Sequence, residues 1–332
     1  MLSIAVIGAG RIGQIHAANL AARAAEVGDV RLAGISDALE DAAGALAGRL
    51  DAPVLSLKEA LEGNSSDAVL IASPTDTHAD FIERAARAGK AVFCEKPVDL
   101  SSDRIERVME VVKGTGTVVF IGFNRRFDPN FASLKARIDQ GRVGAVELVT
   151  ILSRDPSPPP VSYIARSGGL FRDMMIHDLD MARFLLGEEP IEVHAVGSSL
   201  VDPAIGEAGD VDTAAVLLKT ASGRICQISN SRRATYGYDQ RVEVHGALGL
   251  IRAGNQHETT VELATGEGIT ADPVQNFFLE RYAAAYRLEL AAFIAAATGQ
   301  GAPKPDLEDG LRAQRLADAA TEAVRTGLPV RL

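Results

Sequence analysis

The stretch Ile4-Ala-Val-Ile-Gly-Ala-Gly-Arg-Ile-Gly13 sets a short apolar run directly against a GxGxxG loop. Such a run reads as a buried strand, and the Ala-rich helical pattern from Gly13 to Val27 follows it at once. Strand, glycine loop and helix in that order form the context in which GxGxxG binds a dinucleotide. Gly8 permits the tight turn, Gly10 lets backbone approach a pyrophosphate, and Gly13 lets helix and strand close on each other. The helix N-terminus offers unpaired N–H groups to the anion, and Arg11 and Ile12 complete the cofactor loop. Asp37 stands just past the second apolar run, where a carboxylate accepts hydrogen bonds from the adenosine ribose and repels a 2′-phosphate. The expected cofactor is NAD rather than NADP.

Working outward, the runs Ile4 to Ile7, Val30 to Ile35, Ala68 to Ala72, Ala91 to Cys94 and Val118 to Ile121 read as buried strands. Helical patterns at 13–27, 77–88 and 101–112 lie among them, the first two ending at Gly28 and Gly89 and the third starting with a Ser101 cap. Alternation of this kind implies parallel pairing, hence an α/β Rossmann domain over residues 1–122. After Gly122 the pattern changes. Segments 143–152, 191–200, 213–219, 224–230, 240–245 and 259–263 are strand-like, with turns at Thr220-Ala-Ser-Gly223 and Gly246-Ala-Leu-Gly249. Residues 276–298 and 307–326 are long Ala-rich helical patterns, and Asp155 to Ser162 is a proline-rich stiff loop. Residues 123–332 are therefore expected to form an α+β domain with a predominantly antiparallel open sheet.

Composition narrows the function class. The chain has 332 residues, 47% hydrophobic and 23% charged, which excludes disordered and fibrous classes and suffices for two cores. A net charge of -10 without any long Lys/Arg run argues against nucleic-acid and anionic-membrane partners. Met1 leads straight into the first apolar run without a basic leader, and no uncharged stretch approaches a membrane span, so the expected location is the cytoplasm. Cys94 and Cys226 are the only cysteines, which rules out a disulfide framework and a CxxC signature.

The stretch Gly168 to Leu186, GGLFRDMMIHDLDMARFLL, reads as one helix with two faces. At about 100° per residue, Met175, Leu179, Ala182 and Leu186 form a core stripe, while Asp173, His177 and Asp180 form another nearly opposite. A polar stripe on an otherwise apolar helix either faces water or lines a reacting cleft. The His-Asp-x-Asp spacing at 177–180 has the residue types of a metal site, although no metal is expected.

Residues 88–97, AGKAVFCEKP, add a third motif. Together with GAGRIG, with Ile71-Ala-Ser-Pro-Thr-Asp-Thr-His78 and with GGxxxDMxIHDxD, they make the chain resemble the glucose-fructose oxidoreductase/inositol dehydrogenase family over nearly its whole length. The resemblance implies NAD-dependent oxidation of a cyclic polyol, myo-inositol to its 2-keto product, in a homotetramer built through the sheet of the second domain. It implies Lys96 near the nicotinamide, Asp173 and His177 as the catalytic pair, and Ser73, Thr75, His78 and Glu95 along the cofactor. Arg125, Asp155 and Tyr236 are implied substrate contacts, with Tyr238 a neighbour in the same motif, and a cis peptide is implied within Glu95-Lys96-Pro97. Chemistry gives the reacting groups consistent roles. Oxidising a secondary alcohol needs a proton acceptor on the hydroxyl, which an imidazole titrating near about 6.5 supplies. An ammonium such as that of Lys96 stabilises the developing alkoxide.

Overall fold

The computed structural model describes residues 1–332 except the side chain of residue 165, and the chain divides into two units. The first comprises Met1–Asn124 with Ala285–Gln314. Its N-terminal part runs β1 (Leu2–Ile7), α1 (Arg11–Glu26), β2 (Val30–Ser36), α2 (Glu40–Arg49), α3 (Leu57–Glu62), β3 (Ala68–Ile71), α4 (Thr75–Arg87), β4 (Ala91–Glu95), α5 (Ser102–Thr115) and β5 (Val119–Gly122). The five strands pair in parallel in the order β2-β1-β3-β4-β5. Strand order reverses beside β1, and in sheets of this kind ligands bind outside the carboxyl ends at that reversal. The strands are nearly all-apolar and nearly fully buried, as a sheet sandwiched by helices requires. Ser101 caps α5 by accepting from the Arg104 amide, and Gly28, Gly89 and Gly116 take the positive φ that ends their helices.

The second unit comprises Arg125–Ala284 with Arg315–Leu332. It runs α6 (Pro129–Asp139), β6 (Val146–Arg154), α7 (Val161–Ser167), α8 (Gly169–Asp173), α9 (Ile176–Leu186), β7 (Pro190–Ser198), α10 (Pro203–Glu207), β8 (Thr213–Thr220), β9 (Ile225–Ser231), β10 (Asp239–Gly246), β11 (Gly249–Ala253), β12 (Glu262–Thr265), β13 (Gly268–Ala271) and α11 (Phe278–Arg281). The chain closes with α12 (Ala283–Ala297), α13 (Leu307–Thr326) and β14 (Val330–Arg331). Seven strands form one sheet in the order β11-β10-β6-β9-β8-β7-β14, and β12 and β13 form a separate ribbon. Ile176, Leu179, Ala182 and Leu186 of α9 are buried, and the helix packs on β6 and β9.

Two expectations need correction. The large sheet is mixed, because β6 and β9 run parallel, from Leu148↔Ile225 to Arg154↔Ser231, while the other neighbours among the described residues are antiparallel. Residues 168–186 are two helices, α8 and α9, separated at Met174 and Met175, so helical phase is not carried from Asp173 to His177. Residues 285–314 pack with the first unit. The physical reason is aromatic packing. Phe293 of α12 sits edge-on to Phe93 of β4 and Phe120 of β5, with centroids 5.6 and 6.1 Å apart, and the Ile121 amide donates to the Pro305 carbonyl at 2.9 Å.

Candidate functional site

In the first unit the residues singled out from sequence gather at the carboxyl ends of β1 to β4. Gly8 has φ +104°, and a Cβ there would lie 2.5 Å from the Ala72 carbonyl oxygen. A Cβ on Gly13 would lie 1.8 Å from the Gly8 carbonyl oxygen, so helix and loop meet at a distance only glycine allows. Gly10, the N-cap of α1, has no atom within 4 Å of a Cβ position and no side-chain cap. That opening, beside first-turn amides that have no intrahelical acceptor, is the cradle a pyrophosphate needs, so the loop fits a dinucleotide. The residues flanked by it are Arg11 and Ile12 at the start of α1.

Asp37 follows β2 and ties the two loops together. Its Oδ2 accepts from the Ala9 amide at 2.6 Å and its Oδ1 from the Leu39 amide at 2.8 Å. Ser73 and Thr75 lie where β3 passes into α4, with the Ser73 hydroxyl bonded to that of Thr77 at 2.6 Å. His78 is buried behind this turn, and its ring nitrogens each lie 2.8 Å from a backbone carbonyl, Pro97 at Nδ1 and Ser73 at Nε2. Burial pulls its pKa down against the two carbonyl bonds. The imidazole therefore clamps the β3 loop to the β4 loop. Lys96 follows β4 directly, and the Lys96–Pro97 peptide is cis. Glu95 turns inward, its Oε1 2.7 Å from His16 Nε2 on α1.

In the second unit the parallel β6/β9 pair matters, because parallel strands bring their carboxyl ends out side by side. Asp155 leaves β6 with its amide donating to the Ser231 carbonyl at 3.0 Å, and Arg232 leaves β9 next to it. Arg232 is 1% exposed, reaches Asp173 Oδ2 with Nη2 at 3.5 Å, and keeps a buried Nε without a hydrogen-bond partner among the described residues. Asp173 ends α8 and also accepts from the Tyr163 hydroxyl at 3.1 Å. Asp155 is only half-buried as a residue, yet its carboxyl is withdrawn from water. That burial pushes its pKa up to about 6, with Arg232 opposing and Asp173 adding to the rise. His177 lies in the first turn of α9, partly exposed.

The other acids of the opening stretch have different work. Asp178 is fully buried, paired with Arg125 Nη1 and accepting from Asn230 Nδ2 at 3.0 Å, while Arg125 Nη2 donates to Ser153 Oγ at 3.2 Å. Burial works against the charge of Arg125, but the Asp178 carboxylate more than restores it and its pKa is raised. Asp180 is gripped by Arg126, at 2.8 Å to Nε and 2.5 Å to Nη2, with Arg183 3.4 Å away. These arginines occupy the carboxylates that the His-Asp-x-Asp spacing would have offered a metal. Asp180 is thus engaged by two arginines. Tyr236 is half-exposed, donating to Asp239 at 2.6 Å and accepting from Arg154 at 3.0 Å. Tyr238 is the buried tyrosine of that motif, edge-on to Tyr282 and within the field of Arg125 and Asp155, and burial raises its pKa well above the usual value.

Sequence reading did not single out Arg232, Tyr163 or Tyr238 as site groups. The signal for Arg232 was an arginine pair, Arg232-Arg233, closing an alternating strand, and it became meaningful only with the parallel register.

A doubly wound sheet with this loop defines a dinucleotide-binding protein. Residues 2–123 match the model for the oxidoreductase family NAD-binding Rossmann fold, and residues 135–332 match that family's C-terminal alpha/beta domain. The chain belongs to the Gfo/Idh/MocA oxidoreductase family, and its cofactor is NAD. It is 53% identical to an inositol 2-dehydrogenase of Rhizobium meliloti across 96% of both chains. It resembles the crystal structure of a myo-inositol dehydrogenase from Corynebacterium glutamicum with a TM-score of 0.94, at 44% identity, covering 100% of this chain and 99% of the other. A scyllo-inositol dehydrogenase from Lactobacillus casei, solved with NAD(H) and scyllo-inositol, gives a TM-score of 0.92 at 30% identity, covering 100% of this chain and 99% of the other.

Two outcomes follow from these contacts. Asp178→Asn leaves the Arg125 guanidinium buried without its counter-charge and lowers stability by about 3–5 kcal/mol in chemical denaturation; a loss below about 1 kcal/mol would show the pair to be dispensable. Between the unfolded carboxyl value of about 3.9 and the folded value of about 6, folded Asp155 holds a proton that the unfolded chain has released. Its contribution to stability therefore falls as pH rises through that window and levels off above it. Asp155→Asn removes this slope, so wild-type and variant unfolding curves converge or diverge between about pH 4 and 6, and parallel curves would refute the assignment.

Proposed function

We propose that this chain oxidises myo-inositol to 2-keto-myo-inositol (scyllo-inosose), passing hydride to NAD. The observation that carries the reading is whole-length similarity to a relative named inositol 2-dehydrogenase, joined to a complete set of reacting groups at Lys96, Asp173 and His177. NAD, when bound, accepts the hydride from the carbinol carbon at its nicotinamide. His177 takes the hydroxyl proton as that hydride leaves, so the balanced products are ketone, NADH and one proton. Asp173, held by Arg232 and Tyr163, orients the base or an adjacent hydroxyl of the polyol. Lys96 supplies positive charge to the developing alkoxide.

Under this reading Gly8, Gly10, Arg11, Ile12, Gly13, Asp37, Ser73 and Thr75 hold the dinucleotide, with Asp37 setting the preference for NAD over NADP. His78 and Glu95 act behind them, since their polar atoms are turned to backbone carbonyls and to His16. Arg125 also acts from behind, through Asp178. Residues 1–122 form the NAD-binding domain and 123–332 the substrate-binding and oligomerisation domain. The location drawn from sequence is the cytoplasm, and no helix is long and apolar enough to cross a membrane. A second polyol, scyllo-inositol, or a related aldose is the alternative substrate, favoured by the likeness to the Lactobacillus casei enzyme.

The assembly we assign is a homotetramer joined through the large sheet. The face of that sheet opposite α9 is open, with Leu148, Val196, Leu217 and Ile225 each more than a third exposed. A cavity of about 500 Å³ lined by Leu152, Leu217, Ser229 and Leu328 lies on it. Exposed apolar patches of this kind mark interaction surfaces. Leu217→Glu puts a charge in the middle of the patch and should reduce the molar mass in light scattering to that of dimer or monomer; an unaltered mass would remove this face from the assembly.

A panel of inositols and aldoses with NAD and with NADP, followed by nicotinamide absorbance, tests the activity directly. Turnover is expected with myo-inositol and NAD. Lys96→Met and His177→Ala should each lower kcat by orders of magnitude with NAD binding retained. NAD binding without turnover of any polyol or aldose would replace the dehydrogenase by a non-catalytic nucleotide sensor.

A further inference from the structure

Behind the cofactor loop of the first unit lies a group of side chains that the reaction above does not use. His16 on α1, Glu95 at the end of β4 and Glu289 on α12 bring a ring nitrogen and two carboxylate oxygens within 4.8 Å of one another. His16 and Glu289 are both 0% exposed. The His16 ring lies edge-on to Phe93 and Tyr286, with centroids 5.0 and 5.6 Å away, so the surroundings are aromatic. Among the described residues neither oxygen of Glu289 has a hydrogen-bond partner, and the charge acting on it is that of Glu95.

Two ionised carboxylates in such a place are untenable, because burial penalises each charge and their repulsion is weakly screened. Either a cation or a proton must neutralise one. The geometry disfavours a cation. His16 Nε2 and Glu95 Oε1 are 2.7 Å apart, a hydrogen-bond separation that a metal between them would have to open. The Nδ1 of His16 also has no acceptor, whereas a metal-bound histidine normally donates its second N–H to one. A proton on Glu289 removes the second charge and leaves Glu95 as the single carboxylate facing His16 Nε2. Burial, with the Glu95 charge adding to it, raises the Glu289 pKa well above the usual range.

We propose that Glu289 is a neutral carboxylic acid and that, by leaving the Glu95 carboxylate unopposed in its seat against His16, it acts as a positioning residue for the adjoining Lys96. The seat is narrow on its other side too, since a Cβ on Gly122 would come 3.0 Å from Glu95 Oε2. The titratable groups facing Glu289 are His16 from α1 and Glu95 from β4, with Tyr286 on its own helix and the buried Cys94 thiol, also raised by burial, preceding Glu95. The positioning role rests on the assignment of Lys96 to the reaction; the protonation of Glu289 does not.

Unfolding of the full-length protein with denaturant across pH tests the proton. Above the unfolded glutamic acid value of about 4.3, folded Glu289 keeps a proton that the unfolded chain has lost, so wild type should lose up to about tenfold in its folding equilibrium constant per pH unit relative to Glu289→Gln. A constant offset between the two overturns the proposal. The infrared difference between wild type and Glu289→Gln should contain the C=O band of a protonated acid, and its absence has the same force. Stoichiometric metal in the purified wild type that disappears from Glu289→Gln would substitute a cation for the proton. For positioning, Glu289→Ala should lower kcat about tenfold or more with the Kd for NAD little changed, and Glu289→Gln should restore it. Equal losses in both variants overturn that role. If wild type turns over no polyol, the dehydrogenase reading fails, while the pH profile and the infrared band still decide whether Glu289 is protonated.

Discussion

The second unit depends on counter-charge. The helix α9 packs Leu179, Ala182 and Leu186 into the core and carries Asp178 and Asp180 into the same apolar interior. A buried carboxylate without a partner would cost several kcal/mol, so each acid needs an arginine placed to meet it. Arg125 and Arg126, adjacent in sequence, supply one each, Arg125 to Asp178 and Arg126 to Asp180. The 3-10 turn at 124–127 is thus tied to α9 by two ion pairs. The first turn of α9, where His177 sits, is fixed by bonds the imidazole does not itself have to make.

Parallel pairing is the other device in that unit. A wholly antiparallel sheet would have sent the ends of β6 and β9 to opposite edges. Their parallel register instead brings Asp155 and Arg232 out together, and Arg232 extends to Asp173 at the end of α8. A buried guanidinium between two acids keeps Asp173 in place and contributes opposite charge beside Asp155, whose carboxyl burial pushes up to about 6. The first unit uses steric rather than electrostatic precision. Backbone meets backbone at Gly8, Gly13 and Ala72, and His78 and Asp37 lock neighbouring loops through carbonyl and amide contacts.

Much of the site was legible because it is local. The loop from Gly8 to Gly13 and Asp37 after β2 sit at strand ends that a period-based reading finds, while Ser73, Thr75 and Lys96, implied by the family resemblance, sit at the ends of β3 and β4. Pairings between distant residues were not legible. Nothing in the spacing of Asp178 and Asp180 distinguishes a metal ligand from the partner of an arginine more than fifty positions earlier. The break at Met174 and Met175 was likewise hidden, because an apolar pair of methionines has no helix-stop chemistry, although Gly168 and Gly169 carry the positive φ that starts α8.

By itself the sequence determined the strand–loop–helix grammar, the parallel sheet and the dinucleotide loop, since each is written in short stretches of consecutive residues. Only the tertiary structure decided which acids are neutralised and by whom, that 285–314 packs on the first sheet, and that Glu289 is left facing Glu95. These are outcomes of long-range packing, where aromatic burial and charge pairing act between segments whose separation along the chain carries no signal.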